Sequence, residues 1–547
     1  MKANWHRNTL IYQIDPSLFY DSNGDGRGDL KGIIRQLDYL QALGVGALWL
    51  MPLYRSPFKD AGYDVSDFMA LDPRFGSEED LRQLIVQAGE RGIRVILELV
   101  VQHTSDQHPW FQRARRDKNS VYRDYYLWSD EPVDDGNQPI FPSVENSIWR
   151  WDEQAGQYYR HLFYRHEPDL NLANPKVVEE IERIMVHWLE LGIAGFRLDA
   201  ASHLVEQAGR GDEEQGVWVL DRLFKYMTRI NPQGVLMGEV DVEPERYSHY
   251  FGTGERLGLV LDFWVNNHLF LALARGEAEP LQRAISRRPA PPDGANYAVW
   301  LRNHDELDLE RLSEEEREEV MRAFAPQENM RLYGRGIRRR LAPMLDGNVH
   351  RQALAQALLL SLPGTPIVRY GEEIGMGDDL SRPERLSVRT PMQWSDQVNA
   401  GFSSSQSLAA PVIDEGPFAY TNLNVAHQQD DPDSLLARTR TLLSARSRLT
   451  EVGDGKAQLL SVSHPAVFAI AHVCDNTSVM LANLSDETVD VQLKEMDMQG
   501  FEEVLADGPY PHSTKSSLTL RGYGYRWFRR TGSKQQQHHG EQSCDGK

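Results

Sequence analysis

Short runs dense in Val, Ile, Leu, Phe and Tyr recur along the chain at 9–14, 47–51, 94–99, 195–198, 235–238, 257–261, 297–301 and 366–370. Each is bounded by turn residues and has the length of a buried strand. Between them, apolar positions fall at the three-and-four spacing of a helix face. Several of these stretches stop at a glycine, among them 37–44 and 81–92. Strands alternating with helices in this way predict an α/β fold, a (β/α)8 TIM barrel of parallel strands. A doubly wound open sheet would show the same alternation, but no Gly-rich dinucleotide fingerprint supports it.

The alternation breaks in three places. Residues 104–172 carry Trp, Tyr, Asp and Pro in irregular order and read as a subdomain inserted after the third strand. Residues 307–348, after the seventh strand, hold a strongly charged helix at 313–324 and a basic run at 335–340. The helix is most simply a solvated face. From 456 to 530 short strands follow one another, which predicts a C-terminal antiparallel β-sandwich. The barrel therefore divides into 1–103 and 173–455, and the polar, low-complexity stretch 531–547 reads as a disordered tail.

Composition narrows the function. The formal charge of −21 disfavours nucleic acid and anionic membranes and suits a neutral substrate. No run is long enough to span a membrane. Two cysteines, Cys474 and Cys544, and no leader-like stretch point to the cytoplasm. Homo-oligomerisation is left open.

In such barrels the chemistry sits at the C-terminal ends of the strands. The fourth strand runs into Arg197-Leu198-Asp199, the fifth into Glu239, the seventh into Asn303-His304-Asp305 and the third into His103. Cleavage of a glycosidic bond needs two carboxyl groups, one to attack the anomeric carbon and one to protonate the leaving oxygen. Arg197 lies two residues before Asp199, on the same side of an extended strand, and its charge should keep Asp199 ionised. Any single acid could be an ordinary helix cap. Three acids on one rim, flanked by Arg and His, are not explained that way. Separately, Asp21, Asn23, Asp25 and Asp29 alternate through an Asp/Asn/Gly loop, and with the Arg27 carbonyl they form an oxygen set suited to Ca²⁺. The alternative is a metal-free turn. No organic cofactor is expected.

On these residues the chain resembles the α-amylase family, glycoside hydrolase family 13. The segments are 195–199, 238–239 and 303–305, joined by Gly62-Tyr63-Asp64 and Gln102-His103, and the similarity runs from about Trp5 into the C-terminal sandwich. The resemblance implies Asp199 as nucleophile, Glu239 as acid/base and Asp305 as transition-state stabiliser. It implies sugar contacts from Tyr63, His103, Arg197 and His304. It also implies an Arg389–Asp64 pair closing the pocket behind a non-reducing glucose, and Ca²⁺ in the 21–29 loop. Segments 152–159, 301–307, 336–348 and 375–380 are similar to members that interconvert maltose and trehalose by intramolecular glucosyl transfer. A lid formed by 104–172 and 307–348 would then exclude water. An exo-acting α-glucosidase is the alternative, and a non-catalytic barrel partner a more distant one. The residues after the nucleophile and the acid, Ala200 to His203 and Val240-Asp241, depart from the family pattern, as does Glu98, where Asp is usual.

Overall fold

The computed structural model describes residues 4–510 and 517–532. Most of the predicted tail, 533–547, lies outside them. Eight parallel strands close into a barrel in chain order: β1 (Ile11–Ile14), β2 (Ala47–Leu50), β3 (Arg94–Leu99), β4 (Gly195–Leu198), β5 (Val235–Gly238), β6 (Leu259–Leu261), β7 (Asn296–Trp300) and β8 (Thr365–Arg369). Every residue of these strands except Arg94 is buried, because helices cover the outside and side chains fill the inside. That double burial is why the strands read as unbroken apolar runs.

Alternation along each strand sorts the side chains. Ile11, Trp49, Ile96, Val235, Met237, Leu259, Leu261, Ala298, Trp300 and Ile367 form one packed cluster inside the barrel. Tyr12, Ile14, Leu48 and Leu50 belong instead to the large cluster beneath the helices. In register, Glu98 of β3 lies opposite Arg197 of β4, and Arg197 opposite Met237 of β5. Met237 faces inward, so Arg197 and Glu98 do too, one step below the rim.

Gly195 opens β4 for a steric reason. Its φ is +149°, and an added Cβ would lie 2.0 Å from the carbonyl oxygen of Val235. Gly195→Ala must therefore push β4 and β5 apart. We expect a loss of about 3 kcal/mol or more, seen as a lower urea midpoint. An unchanged midpoint would contradict this packing.

Both insertions sit on the C-terminal rim. The first holds a three-stranded antiparallel sheet of Trp128–Ser129, Gln157–Arg160 and Trp149–Asp152. Its two ends are tied together where Leu170 donates to the Gln102 carbonyl (2.9 Å) and Thr104 to that of Pro168 (3.1 Å). The second holds the small sheet of Leu307–Asp308, Gly336–Ile337 and Arg331–Leu332 and the charged helix Glu314–Phe324. That helix starts at a capping box between Ser313 and Glu316. Beyond the barrel, a five-stranded antiparallel sheet packs against a two-stranded one around Val467, Ala469, Val479, Leu481, Val491, Leu520 and Phe528. Among the described residues no helix is long and apolar enough to cross a membrane.

Candidate active site

Arg197 organises the site. Fully enclosed at the top of β4, it spreads one guanidinium over three carboxylates. Its Nη1 contacts Asp199 Oδ1 and donates to Glu98 Oε2 at 2.9 Å, while Nη2 lies 2.9 Å from Glu239 Oε2. A planar fork of donors suits this arrangement better than an ammonium would. Asp199 itself follows the last residue of β4, and the next residue, Ala200, turns into the left-handed region at φ +46°. The turn aims the Ala200 N–H at Glu239 Oε2 (2.9 Å), so backbone and guanidinium hold the same oxygen of Glu239. Glu98 is locked from the other side by Trp49 Nε1 (2.8 Å) and the Tyr63 hydroxyl (2.9 Å).

A second group holds Asp305. Gln13 Nε2 meets His304 Nδ1 at 2.8 Å, which leaves the His304 Nε2–H for Asp305 Oδ2 at 2.9 Å and for the Tyr63 hydroxyl at 2.7 Å. The Tyr63 ring stacks on His304. Asp305 Oδ1 accepts from Arg385 Nη1 and Arg389 Nη2, each at 2.9 Å.

Here the structure corrects one expectation. Arg389 does not pair with Asp64. It spends its other nitrogen on the His304 carbonyl (Nε to O, 2.9 Å). Asp64 is wholly buried and accepts from Ser56 Oγ (2.8 Å), Lys59 N (3.0 Å) and Asp60 N (3.1 Å). The closing pair is Arg385 with Asp60, at 2.9 Å, and each partner lies four residues before the one expected. The reason is the fold of the loop between Ser56 and Asp64. Phe58, Ala61 and Gly62 all take positive φ there, so the chain curls around the Asp64 carboxylate and turns Asp60 outward into the pocket.

Burial sets the charges. It pushes Asp199 above the usual carboxylate range despite Arg197, and it raises Glu239, with Asp199 and Asp305 adding to the effect. Arg197 opposes the rise in both, with one charge shared among Asp199, Glu239 and Glu98. Glu98 is itself pushed up to about 7 by burial. Asp305 is the exception. Burial would raise it, but its interactions with His304, Arg385 and Arg389 outweigh that and hold it well below the normal range. His304 is lowered by burial to about 4, so at neutral pH it gives Asp305 an N–H rather than a charge. The cations on Asp305 are Arg385 and Arg389. Asp305 is thus held low, while Glu98, Asp199 and Glu239 share one cation and are all raised. A raised carboxyl beside a lowered one suits a proton donor next to a charged stabiliser.

These groups open into a cavity of about 260 Å³. Asp60, Tyr63, His103, Asp199, Glu239, His304, Asp305 and Arg385 line it. His203, Asp241, Glu306, Asp308, Arg311 and Arg335 line it as well. His103 is lowered by burial to about 4 and presents a neutral imidazole. Arg197, Asp64 and Arg389 support the wall from behind. Sequence reading missed Asp60, Arg385 and the bracing role of Glu98. The Asp60 signal was there, three residues before Tyr63, whereas nothing local marks Arg385.

The loop expected to bind calcium closes on itself. Asp21 accepts from the backbone of Asn23, Gly24 and Gly26 and from Ser403 Oγ. Asp25 accepts from Arg27 N, and Asp29 caps the next helix through Gly32 N. Among the described residues, one trio of acidic groups comes close enough to share an ion: Asp241, Asp308 and Glu310, at the pocket mouth. Arg311 and Arg335 already neutralise it, at 3.0 Å from Asp241 and 2.7 Å from Asp308. The three aspartates of the loop are not such a trio. Its donors are of the right kind for Ca²⁺ but are engaged with the loop's own backbone.

A closed parallel barrel carrying an Asp, a Glu and a second Asp on one rim, around one cavity, defines a glycoside-processing enzyme. Residues 13–455 match the family described as "Alpha amylase, catalytic domain", and 476–529 match "Sucrose hydrolase-like, C-terminal domain". The chain belongs to the α-amylase family, glycoside hydrolase family 13. It is 41% identical over 539 residues to a trehalose synthase of Thermus thermophilus, covering 96% of this chain and 56% of that protein. It is 38% identical to a trehalose synthase of Pimelobacter sp., covering 97% of this chain and 96% of that one. Among solved structures, the trehalulose synthase of Pseudomonas mesoacidophila superposes with a TM-score of 0.77 at 25% identity, over 97% of this chain and all of that one.

Proposed function

We propose that the protein interconverts maltose and trehalose by transferring a glucosyl unit within one bound disaccharide. The observation that carries this reading is the clamp in the pocket wall. Arg385 joins Asp60 to Asp305, so one terminal glucose fits and no chain can run past it. The likeness to trehalose synthases over nearly the whole chain supports it.

The geometry gives each residue a step. Glu239 protonates the glycosidic oxygen while an Asp199 oxygen attacks C1, which inverts that centre and forms a β-glucosyl ester. Asp305, held ionised, accepts hydrogen bonds from ring hydroxyls and favours the flattened, oxocarbenium-like ring. The released glucose stays and turns, and its anomeric hydroxyl attacks C1. Glu239, now a carboxylate, takes the proton. The second inversion restores the α configuration, and Asp199 and Glu239 return to their starting states. If water attacks instead, the same steps give hydrolysis.

Following the reaction from both directions tests the reading. Maltose should give trehalose, trehalose should give maltose, and free glucose should remain a minor product. Glucose as the sole product from both sugars would overturn it and leave an α-glucosidase. Arg385→Ala should lower kcat/KM on maltose by about 100-fold or more, since two charge-assisted hydrogen bonds are lost. A near-normal value would mean that the clamp does not grip the donor glucose.

A structural Ca²⁺ held by Asp21, Asn23, Asp25, Asp29 and the Arg27 carbonyl is proposed on the chemistry of that donor set alone. A chelator should then lower the melting temperature, with recovery on adding Ca²⁺. An unchanged melting curve would remove the ion from the account.

A further inference from the structure

We propose that Glu384 is the clasp that holds the two rim insertions closed over the pocket, and that this clasp sets the balance between glucosyl transfer and hydrolysis. The inference rests on the reading above and deepens it. Two hydroxyls converge on one oxygen of Glu384. Tyr164, from the first insertion, donates to Oε2 at 2.5 Å, and Tyr333, from the second, donates to the same oxygen at 3.0 Å. The two tyrosines are 169 positions apart in the chain and belong to different subdomains. Glu384 belongs to neither. It sits in the segment after β8, next to the clamp residue Arg385.

Three further features make this a built junction. Tyr164, Tyr333 and Phe141 form a small apolar core of their own, separate from the barrel core. Arg385 lies over the Phe141 ring, 4.7 Å from its centroid, so the cation that joins Asp60 to Asp305 also carries the roof. Its Nη2 is 3.3 Å from the Tyr164 hydroxyl. Nearby, Arg335 of the second insertion donates to the Ile140 carbonyl of the first at 3.0 Å. Glu384 itself has φ +44°, a conformation that a β-carbon makes costly. Such strain persists only where surrounding contacts impose it, and the two tyrosine hydroxyls hold this side chain.

Charge-assisted hydrogen bonds to one carboxylate tie together two flaps that also meet through the Phe141–Tyr164–Tyr333 cluster and the Arg335–Ile140 bond. Opening the roof would admit water to the glucosyl ester and release the glucose that must re-attack. Glu384 touches no reacting atom and is a positioning residue.

The test deletes the hydroxyls without changing volume. Tyr164→Phe with Tyr333→Phe should raise the ratio of free glucose to trehalose formed from maltose at least about fivefold. Glu384→Gln, which keeps an acceptor oxygen, should raise it less. The ratio does not depend on how much enzyme is folded, so loss of stability alone leaves it unchanged. Tyr297→Phe removes a buried hydroxyl bonded to the Pro289 carbonyl far from the roof, and it should not move the ratio. A double variant with the parent's ratio would overturn the proposal. Hydrogen exchange gives a second readout that holds even if the parent enzyme only hydrolyses. Amides of 140–145 and 330–338 should exchange faster together in the double variant, and unchanged protection of both would also overturn it. A parent enzyme that makes no trehalose would refute the functional reading, and exchange alone would then decide the clasp.

Discussion

Asp199→Asn should abolish turnover, lowering kcat on maltose by about 10⁴-fold or more while the protein stays folded. The amide is nearly isosteric and can still accept from Arg197, so the local scaffold survives. What it lacks is a nucleophilic oxygen anion at C1. The variant also removes one acid from a buried group of three around one guanidinium, which relieves repulsion. Its melting temperature should therefore match or exceed the parent's. Loss of turnover with unchanged or higher stability is the signature of a reacting group. Residual activity near the parent's would remove Asp199 from the role of nucleophile.

Arg197→Gln should be the most damaging change to stability at neutral pH. It leaves Glu98, Asp199 and Glu239 buried without their shared cation. Breaking such a group from one side costs about 3–5 kcal/mol, and activity should fall with it. The pH dependence follows from the direction of the shifts. Glu98 already lies at about 7, above its ordinary 4.5, and without Arg197 all three acids should move higher. A carboxylate whose folded pKa is raised binds a proton more readily in the folded state. Its contribution is complete below its unfolded pKa and is lost as pH rises through the folded one. The gap in stability between variant and parent should therefore widen from pH 5 to pH 8 in urea titrations. A gap that narrowed over that range would show that the three acids do not depend on Arg197.

The eight barrel strands were legible because burial on both faces writes them as dense apolar runs. Their starts were less so. β6 begins at Leu259 and not at 257, although the ladder already starts where Gly258 donates to the Leu236 carbonyl. Asp199, Glu239 and Asp305 were legible because strand ends carry a local signature. The Arg389–Asp64 pairing failed because it joins two distant loops. Both partners lie in motifs that can be read, but three positive-φ residues decide which acid faces the pocket, and sequence spacing does not show that. Glu384 was invisible for the same reason. Its partners Tyr164 and Tyr333 come from separate insertions, and nothing in any one segment marks them. The residues after the catalytic acids, from Ala200 to His203 and at Val240 and Asp241, signalled a departure from the family pattern. In the structure His203 and Asp241 line the same cavity as Arg311 and Arg335.

The central claim is that the freed glucose stays in the pocket and re-attacks. It is tested most directly by incubating the enzyme with unlabelled maltose and an excess of ¹³C-labelled glucose, then resolving the products by mass. The account predicts trehalose that is almost entirely unlabelled. Label entering trehalose in proportion to the free glucose pool, or maltose converted to glucose alone, would contradict it.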